Sequence, residues 1–497
     1  MRKTALFAAL AAVAGCSDDV ASTGDAATAD AAVDAVVDAA VDAGAVDAPP
    51  GDAGARCQVP APRLGDSAAA RALASMPARC GQTAYTWRDD PTLGTVRGTQ
   101  GRQNFSASVL RALLAATGTS LQVELQYDVA VEQLGYVTQD RGRLLDATTL
   151  VAMPRDVPAG TALPALLLLH GTAGFTDACA PSNDTETRGL AAALASVGYL
   201  VVAPDYLGLR AFGGPTGFPH PYLVGQATAI ASLDALRAAM RHAAATEGVG
   251  CMAPRYVVVG GSQGGHAALW VDRMAEAYAP ELVNEGVVAT VPPADLVGQV
   301  DRALRTTVPA TGNTLAFLAT APWWYGVEGR LGEVLRSPWD RDVPAALAAS
   351  CSPSDSVRNL TIEQVFQAEF LSAARGPMGI RGASPWGSLF AENGLTTTTV
   401  PRVAPTRPSY GVLFVLGSDD TLVDPETERR AFDTLCAGGM RMQYLECAGA
   451  SHTRATAWAL PEILRFARDR VAGVPVDAAT QCRRRPATRC AGMPSGG

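Results

Sequence analysis

The chain has 497 residues, of which 48% are hydrophobic, and this is enough for a large core in one insertion-rich domain or in several domains. Its formal net charge of −8 is concentrated in residues 17–55, which contain nine Asp and no other charged residue. The rest of the chain is close to neutral. It therefore offers no basic surface for phosphate groups, and we do not expect nucleic acid as a partner.

Lysine is nearly absent: Lys3 is the only one in the chain, and it lies in a segment that we expect to be removed. The mature protein therefore cannot use a Schiff-base lysine, a Ser-Lys dyad or a P-loop lysine. No HExxH or CxxC motif occurs, so a dedicated zinc site is not expected. The sequence implies no metal and no cofactor.

Residues 1–16 have the features of a bacterial export signal. Arg2 and Lys3 precede an apolar run from Ala5 to Ala14, which is shorter than the roughly 20 residues that a membrane-spanning helix needs. The sequence Val-Ala-Gly-Cys16 resembles a lipobox, so we expect Cys16 to be lipidated and to anchor the protein to a membrane. The alternative is an ordinary signal peptide with an incidental cysteine. We expect an exported protein, either an outer-membrane or cell-surface lipoprotein or a secreted one.

Residues 17–55 are a low-complexity segment of Ala, Asp and Val. Asp30, Asp34, Asp38 and Asp42 would form one repelling stripe on a helix, which disfavours a helix there. We interpret the segment as a disordered tether. Residues 56–120 form an N-terminal extension before the main folded domain.

From residue 121 the pattern is typical of an α/β domain. Apolar runs that suit strands covered on both faces alternate with stretches of helical spacing, such as that from Ile230 to Met240, and this predicts a mostly parallel sheet flanked by helices. Thr456 to Val471 is expected to form a final helix. The predicted strands are Leu121 to Val131, Thr148 to Met153, Ala165 to Leu169, Leu200 to Ala203, Tyr256 to Val259, Leu413 to Leu416 and Gln443 to Glu446.

Residues 292–408 fit this alternation poorly and are interpreted as a cap inserted into the sheet domain, which then comprises residues 121–291 and 409–475. The alternative is a set of long loops with core aromatic residues. Trp323, Trp324 and Tyr325 lie in this segment and are predicted to bind the substrate through an apolar wall. Residues 476–497 form a C-terminal tail that contains cysteines.

The motif Gly260-Gly261-Ser262-Gln263-Gly264 carries the strongest chemical signal. It follows a predicted strand and opens an alanine-rich helix, the arrangement of a nucleophile elbow, in which small residues permit a tight turn that exposes the serine hydroxyl. The alternative is a glycine-rich turn with a capping serine. We predict that Ser262 is a catalytic nucleophile.

A serine nucleophile needs a histidine base and an orienting carboxylate, which in this arrangement follow in the order Ser, acid, His. Only His266 and His452 lie downstream of Ser262. His266 would lie on the helix of the nucleophile, so we choose His452, in the loop after the last predicted strand. The acid is expected after the preceding strand, where Asp419, Asp420 and Asp424 compete.

An oxyanion hole requires two backbone N–H donors. We assign the first to Gln263, directly after the nucleophile. The second is assigned to Thr172, since His170-Gly171-Thr172 follows a predicted strand and Gly171 permits a tight turn. His170 itself is interpreted as a structural residue.

Five segments together resemble bacterial secreted α/β-hydrolases of the secretory lipase and esterase type, over about residues 121–474. In that family the aspartate lies three residues after a strand-end glycine and three before a valine, which implies that Asp420 is the acid. Family members often have proline where this chain has Asp424. The segments are His170-Gly171-Thr172, Pro204 to Gly208, His220-Pro221-Tyr222, Gly261 to His266 and Gly417 to Pro425.

The resemblance implies hydrolysis of a small-molecule ester or lipid through an acyl-enzyme. A serine peptidase with the same triad is one alternative, and a non-catalytic binding protein on a hydrolase scaffold is another.

Export would also allow disulfides among the nine cysteines that follow Cys16. We expect pairs Cys436–Cys447, Cys57–Cys80 and Cys482–Cys490, with Cys351 as a candidate free thiol.

Overall fold

The computed structural model describes residues 57–74, 87–117, 122–158, 160–353 and 360–494. The signal segment with Cys16, the acidic tether and Cys80 lie outside the described residues. Within them, no helix combines the length and the apolar character needed to cross a membrane.

One mixed sheet organises the part of the chain that the structure describes, with nine strands in the order β1-β2-β3-β5-β4-β6-β7-β8-β9. The pairs among β1, β2, β3 and β5 are antiparallel, and all pairs from β5 to β9 are parallel. The strands are Val96–Phe105 (β1), Val129–Asp140 (β2), Arg143–Pro154 (β3), Ala162–Leu169 (β4), Leu200–Pro204 (β5), Cys251–Gly261 (β6), Val283–Thr290 (β7), Val412–Gly417 (β8) and Met442–Cys447 (β9).

Helices cover both faces of this sheet, so successive residues of a strand enter two different cores. In β4, Leu167 and Leu169 belong to one buried cluster, whereas Leu166 and Leu168 belong to the other. This explains why the central strands read as continuous apolar runs. The predicted class, an α/β sheet flanked by helices, is confirmed.

From β4 onward, each strand is followed along the chain by at least one α-helix. Short 3₁₀ turns occur at Asp177–Cys179, Pro181–Asn183, Leu331–Glu333 and Gly379–Gly382. The α-helices are Ala68–Ala74 (α1), Ala107–Thr117 (α2), Thr185–Ser196 (α3), Gly225–Ala245 (α4), Gln263–Tyr278 (α5), Leu296–Ala303 (α6), Ala310–Tyr325 (α7), Trp339–Ala349 (α8), Ile362–Val365 (α9), Ala368–Ala374 (α10), Trp386–Asn393 (α11), Pro425–Ala437 (α12), His452–Trp458 (α13) and Leu460–Val471 (α14).

Two predicted elements differ from the structure. The strand expected over Leu121 to Val131 begins only at Val129 and continues to Asp140, because its pairing with β1 and with β3 starts at Val129. It is buried along its whole length and shows no alternation. The final helix expected over Thr456 to Val471 is two helices, α13 and α14, and α14 carries Pro461 in its first turn. His452 therefore opens a short helix and does not lie in a loop.

The chain between β7 and β8 contains helices α6 to α11, and we call this segment, residues 292–408, the helical insertion. Helices α6 to α11 all lie within the bounds predicted for the cap. β1, from the predicted N-terminal extension, pairs with β2 at the other end of the sheet. In the tail, Thr488 pairs with Cys447 beside the edge strand β9.

Among the residues that the structure describes, four disulfides join parts of the chain that are distant in sequence. All of the predicted pairs are wrong: Cys436 bonds to Cys482 and Cys447 to Cys490, so both late cysteines reach the tail and not each other. Cys57 bonds to Cys251 and not to Cys80. Cys351 is not a free thiol, because it bonds to Cys179 and so ties the helical insertion to the loop after β4.

Candidate active site

Ser262 lies at a sharp turn between β6 and α5. Its backbone has φ 56° and ψ −121°, a conformation that strains any residue other than glycine. Its N–H donates to Thr290 O at the end of β7, at 2.9 Å. The residue is 5% exposed and lines a cavity. The elbow predicted from the motif is thus present as backbone geometry.

The glycines around Ser262 are required by close packing. A Cβ on Gly264 would overlap Leu169 O, a Cβ on Gly260 would overlap Gly264 O, and a Cβ on Gly265 would lie 2.7 Å from Thr290 O. The turn is therefore pressed against the ends of β4 and β7. Larger side chains would push the serine out of this position.

His452 and Asp420 form a direct hydrogen bond. His452 Nδ1 lies 2.7 Å from Asp420 Oδ2, and both side chains are almost completely buried. Asp420 Oδ1 accepts hydrogen bonds from the N–H groups of Leu422 (2.9 Å) and Val423 (3.0 Å). The carboxylate is thus held in place by its own loop, with one oxygen left for the imidazole.

The other two candidate aspartates have different surroundings. Asp419 is exposed, and its carboxylate accepts from Ser418 Oγ at 2.7 Å. Asp424 caps α12 by accepting from the N–H (2.8 Å) and the hydroxyl (2.7 Å) of Thr427. Of the three, Asp420 is the one that contacts His452.

The end of β7 links the turn that carries Ser262 to the helix that carries His452. Thr290 accepts from the Ser262 N–H, and its hydroxyl lies 2.6 Å from that of Thr456, one helical turn after His452. His452 Nε2 is buried without a hydrogen-bond partner in the described part of the chain. No hydrogen bond joins it to Ser262 Oγ there. Such contacts are often long in ligand-free enzymes and shorten when substrate binds.

The remaining buried histidines are engaged elsewhere. Burial lowers the pKa of His220 to about 3, and the pKa values of His170 and His266 to about 4. His170 Nδ1 lies 2.7 Å from Gly171 O, and His266 Nε2 lies 2.7 Å from Asn393 O. Neutral imidazoles with occupied nitrogens are poor general bases, which favours His452 for that role.

Gln263 is held by His220. His220 Nδ1 lies 2.7 Å from Leu207 O and so carries the ring proton, which leaves Nε2 to accept from Gln263 Nε2 at 2.7 Å. The backbone N–H groups of Gln263 and Thr172 have no acceptor among the described residues. Both predicted oxyanion donors are therefore available for a ligand.

The cavity beside Ser262 has an empty volume of about 480 Å³, which includes space open to solvent. Its walls come from the Ser262 turn, Tyr222 and Leu223 before α4, the loop with Leu422 and Val423, and three helices of the helical insertion, α6, α7 and α11. Most of the lining is apolar. The lining residues are Tyr222, Leu223, Ser262, Gln263, Pro293, Leu296, Gln299, Val300, Ala310, Asn313, Thr314, Phe317, Phe390, Leu422 and Val423.

The predicted substrate contacts Trp323, Trp324 and Tyr325 do not line this cavity. Trp324 is fully buried and donates from Nε1 to Asp140 Oδ1 at 2.8 Å, and Tyr325 Oη accepts from Asn393 at 2.8 Å. Trp323 stacks on Phe218, with ring centroids 4.5 Å apart. These aromatic residues fasten the end of α7 to its surroundings. The cavity is lined by earlier positions of the same helix.

Sequence reasoning missed Asn313, Gln299 and Glu428. Asn313 and Gln299 reach the cavity from the helical insertion, where no motif marks them. Gln299 Nε2 donates to Glu428 Oε1 at 2.9 Å, and Glu428 also accepts from the Ala294 N–H at 3.0 Å. This buried carboxyl on α12 thus holds the start of the insertion. No motif in the sequence marks this glutamate.

Burial raises the pKa of Glu428 from 4.5 to about 8. Because the folded protein holds this proton more tightly than the unfolded chain, the carboxyl stabilises the fold most at low pH, and this contribution is lost as the pH rises through about 8. Between about pH 5 and pH 9, we expect the free energy of unfolding to fall more in wild type than in Glu428→Gln. The difference between the two falls should be at most about 5 kcal/mol.

Chemical denaturation across this pH range measures the effect. Glu426→Gln, an exposed change on the same helix, is the matched control and should follow the wild-type profile. Parallel profiles for wild type and Glu428→Gln would contradict the assignment.

Several known proteins are similar to this chain. Residues 182–478, more than half of the chain, match the sequence model of secretory lipases. A probable inactive lipase of Mycobacterium tuberculosis is 27% identical over 372 residues, which cover 70% of this chain and 75% of that protein.

Two solved structures resemble it in fold. The rice cell wall degrading esterase LipA from Xanthomonas oryzae has a TM-score of 0.60 and 21% identity, covering 77% of this chain and 98% of that one. Candida antarctica lipase A has a TM-score of 0.58 and 18% identity, covering 81% of this chain and 87% of that one. These likenesses establish the α/β-hydrolase fold.

Proposed function

The chain belongs to the secretory lipase family, and from this premise we propose that it hydrolyses carboxylic esters with Ser262, His452 and Asp420 as a catalytic triad. The observation that carries the proposal is the buried His452–Asp420 hydrogen bond of 2.7 Å, in the same site as a serine held at φ 56°. A structural role alone does not require a buried imidazole with a free Nε2 near a strained serine.

The reaction follows from these positions. Ser262 Oγ attacks the ester carbonyl while His452 Nε2 takes its proton, and Asp420 stabilises the imidazolium. The backbone N–H groups of Gln263 and Thr172 stabilise the negative charge on the carbonyl oxygen. His452 then protonates the departing alcohol, and water cleaves the acyl-enzyme by the same steps. No cofactor takes part.

The wild-type protein, produced with its disulfides intact, tests the proposal directly. We expect covalent labelling by a fluorophosphonate and hydrolysis of p-nitrophenyl esters, with little turnover of aminoacyl p-nitroanilides. Turnover of the anilides above the esters would favour a peptidase. A protein that is inert to both substrates and to the label would be a non-catalytic member of the family.

The apolar lining indicates an acyl chain as the group that fills the cavity. Phe317 on α7 and Phe390 on α11 stack with ring centroids 4.3 Å apart, and both line the cavity within the helical insertion. We therefore propose that the insertion acts as a cap that provides the acyl wall. Each buried CH₂ is worth about 0.8 kcal/mol, so longer chains gain more from this wall.

Replacing Phe317 with Ala should raise KM for p-nitrophenyl octanoate about tenfold and change KM for the acetate little, because only the longer chain reaches the lost wall. Trp323→Ala is the matched control: it removes an aromatic from the same helix outside the cavity and should affect both esters alike. Equal losses on the two esters in Phe317→Ala would mean that this ring only supports the fold.

The attachment of the protein to a membrane remains a separate proposal. The lipobox-like sequence ending in Cys16 supports it, together with the secretory family and the four disulfides, which suit an exported protein.

A further inference from the structure

Two side chains of helix α6, in the helical insertion, bond to the backbone of the loop that carries the proposed acid. Gln299 accepts from the Asp424 N–H at 3.1 Å and donates to the Asp424 carbonyl oxygen at 3.2 Å. Arg302, one turn later on α6, donates to the carbonyl oxygens of Thr421 (2.9 Å) and Leu422 (3.3 Å). This stretch of four residues is thus bonded to the insertion at both of its ends.

The same stretch holds the carboxylate of Asp420. The N–H groups of Leu422 and Val423 both donate to Asp420 Oδ1, which leaves Oδ2 for His452. Leu422 is therefore bonded on one side to the acid, through its N–H, and on the other side to Arg302, through its carbonyl oxygen. A displacement of this backbone would move the carboxylate relative to the imidazole.

Helix α6 is itself fixed against the start of α12, the helix that directly follows the acid loop. Glu428 on α12 accepts from Gln299 Nε2 at 2.9 Å and from the Ala294 N–H at 3.0 Å. A Cβ on Gly298 would lie 2.7 Å from Thr427 Cγ2, so the two helices are in direct contact there. A shift of α6 relative to α12 would therefore be transmitted to the loop.

These contacts lie at the substrate site and not on a remote surface. Gln299 and Val300 of α6 line the cavity beside Ser262, and so do Leu422 and Val423 of the acid loop. A substrate in the cavity would therefore contact both the helix and the loop that the helix holds.

We propose that Gln299 and Arg302 are positioning residues that hold Asp420 in line with His452, so that the triad depends on the helical insertion. The inference rests on the proposed function. Both residues act through the backbone of the acid loop and take no part in proton transfer. If α6 moved away, the loop would lose all four of these hydrogen bonds, and Asp420 would lose the fixed orientation in which it stabilises the imidazolium.

The first test is Gln299→Met, which keeps a side chain of similar length and removes the amide. With p-nitrophenyl acetate, whose acyl group is too short to depend on the acyl wall, we expect kcat to fall about 10²-fold with KM nearly unchanged, because a small displacement of a catalytic group is costly. Gln367→Met is the matched control. The Gln367 amide donates to the carbonyl oxygens of Gly332 and Leu335 elsewhere in the insertion, and its loss should leave kcat unchanged.

Arg302→Met tests the second residue without removing a partner of the buried Glu428, and it decides alone if Gln299→Met does not fold. We expect kcat about tenfold below wild type. Arg302→Lys keeps a charged donor and should recover part of the loss, but not all of it, because an ammonium lacks the two-pronged geometry of a guanidinium. Arg305→Met removes an exposed arginine just after α6 and should retain wild-type kcat.

Combining either variant with Asp420→Asn separates positioning from packing. Once the carboxylate is gone, nothing is left for α6 to position, so the double variant should be no slower than Asp420→Asn alone. Proton NMR gives a second readout, on the adduct that a trifluoromethyl ketone forms with the serine. The downfield signal of the proton between His452 Nδ1 and Asp420 Oδ2 should weaken and shift upfield in Gln299→Met and should be unchanged in Gln367→Met.

Wild-type kcat in folded Gln299→Met or in folded Arg302→Met, with normal fluorophosphonate labelling, would overturn the inference for that residue and leave the proposed function standing. Additive losses in the double variants, or an equal loss in Gln367→Met, would overturn it in favour of general packing. A wild-type protein that hydrolyses no ester and takes no label would overturn the proposed function and this inference together.

Discussion

Ser262→Ala is expected to lower kcat for p-nitrophenyl esters by about 10⁶-fold, to the level left by binding and the oxyanion hole. The fold should survive, because the backbone N–H of residue 262 would still donate to Thr290 O and alanine is smaller than serine. Fluorophosphonate labelling should disappear with the activity. Steady-state kinetics and thermal unfolding on the same preparation measure both effects.

Ser232→Ala is the matched control for this variant. Ser232 is buried on α4, donates to Thr228 O at 2.8 Å and does not line the cavity, so its loss should leave turnover unchanged. Hydrolysis at the wild-type rate by Ser262→Ala would show that the elbow serine is not the nucleophile.

Asp420→Asn is expected to lower kcat by about 10⁴-fold. The asparagine oxygen can keep the bonds from Leu422 N–H and Val423 N–H, but its NH₂ group would face His452 Nδ1. That donor forces the imidazole into the tautomer with Nε2 protonated, which cannot accept the serine proton. A pH–rate profile and kcat measurement follow the loss.

Two neighbouring aspartates provide matched controls. Asp419→Asn changes an exposed side chain and should retain nearly full activity. Asp424→Asn keeps a residue that can cap α12, so its effects on stability and rate should be small. If Asp424→Asn were the slowest of the three, the acid would be misassigned.

These measurements matter because membership of the family does not by itself establish activity. The similar protein of Mycobacterium tuberculosis bears the name of a probable inactive lipase. In this chain the serine, the histidine and the carboxylate are all present, and the histidine and carboxylate are hydrogen-bonded. Activity therefore depends on whether His452 Nε2 approaches Ser262 Oγ when substrate binds.

The sequence predicted the features that depend on local pattern. Glycines around Ser262, directly after an apolar run, marked the elbow because a strained turn tolerates few other residues. His452 was predicted as the base because only two histidines lie after Ser262, and the other one would lie on the same helix as the serine. The choice of Asp420 needed the family resemblance, since residues alone left three aspartates open.

Features that depend on long-range packing could not be predicted. β2 lacks alternation because both of its faces are buried. Disulfide partners depend on which distant segments meet, as Cys179 and Cys351 do. Trp323 and Phe317 lie on one helix, and only the packing of that helix decides which of them meets the cavity.

The Cys179–Cys351 disulfide gives the helical insertion a third covalent attachment. The chain enters the insertion from β7 and leaves it at β8, and the disulfide bonds it in between to the loop after β4. Such a segment cannot swing outward as one rigid flap about its two ends. Substrate entry would instead require the parts before and after Cys351 to separate from each other. A chain produced in a reducing cytosol would lack this restraint, so its helical insertion would be held less tightly than that of the disulfide-bonded chain.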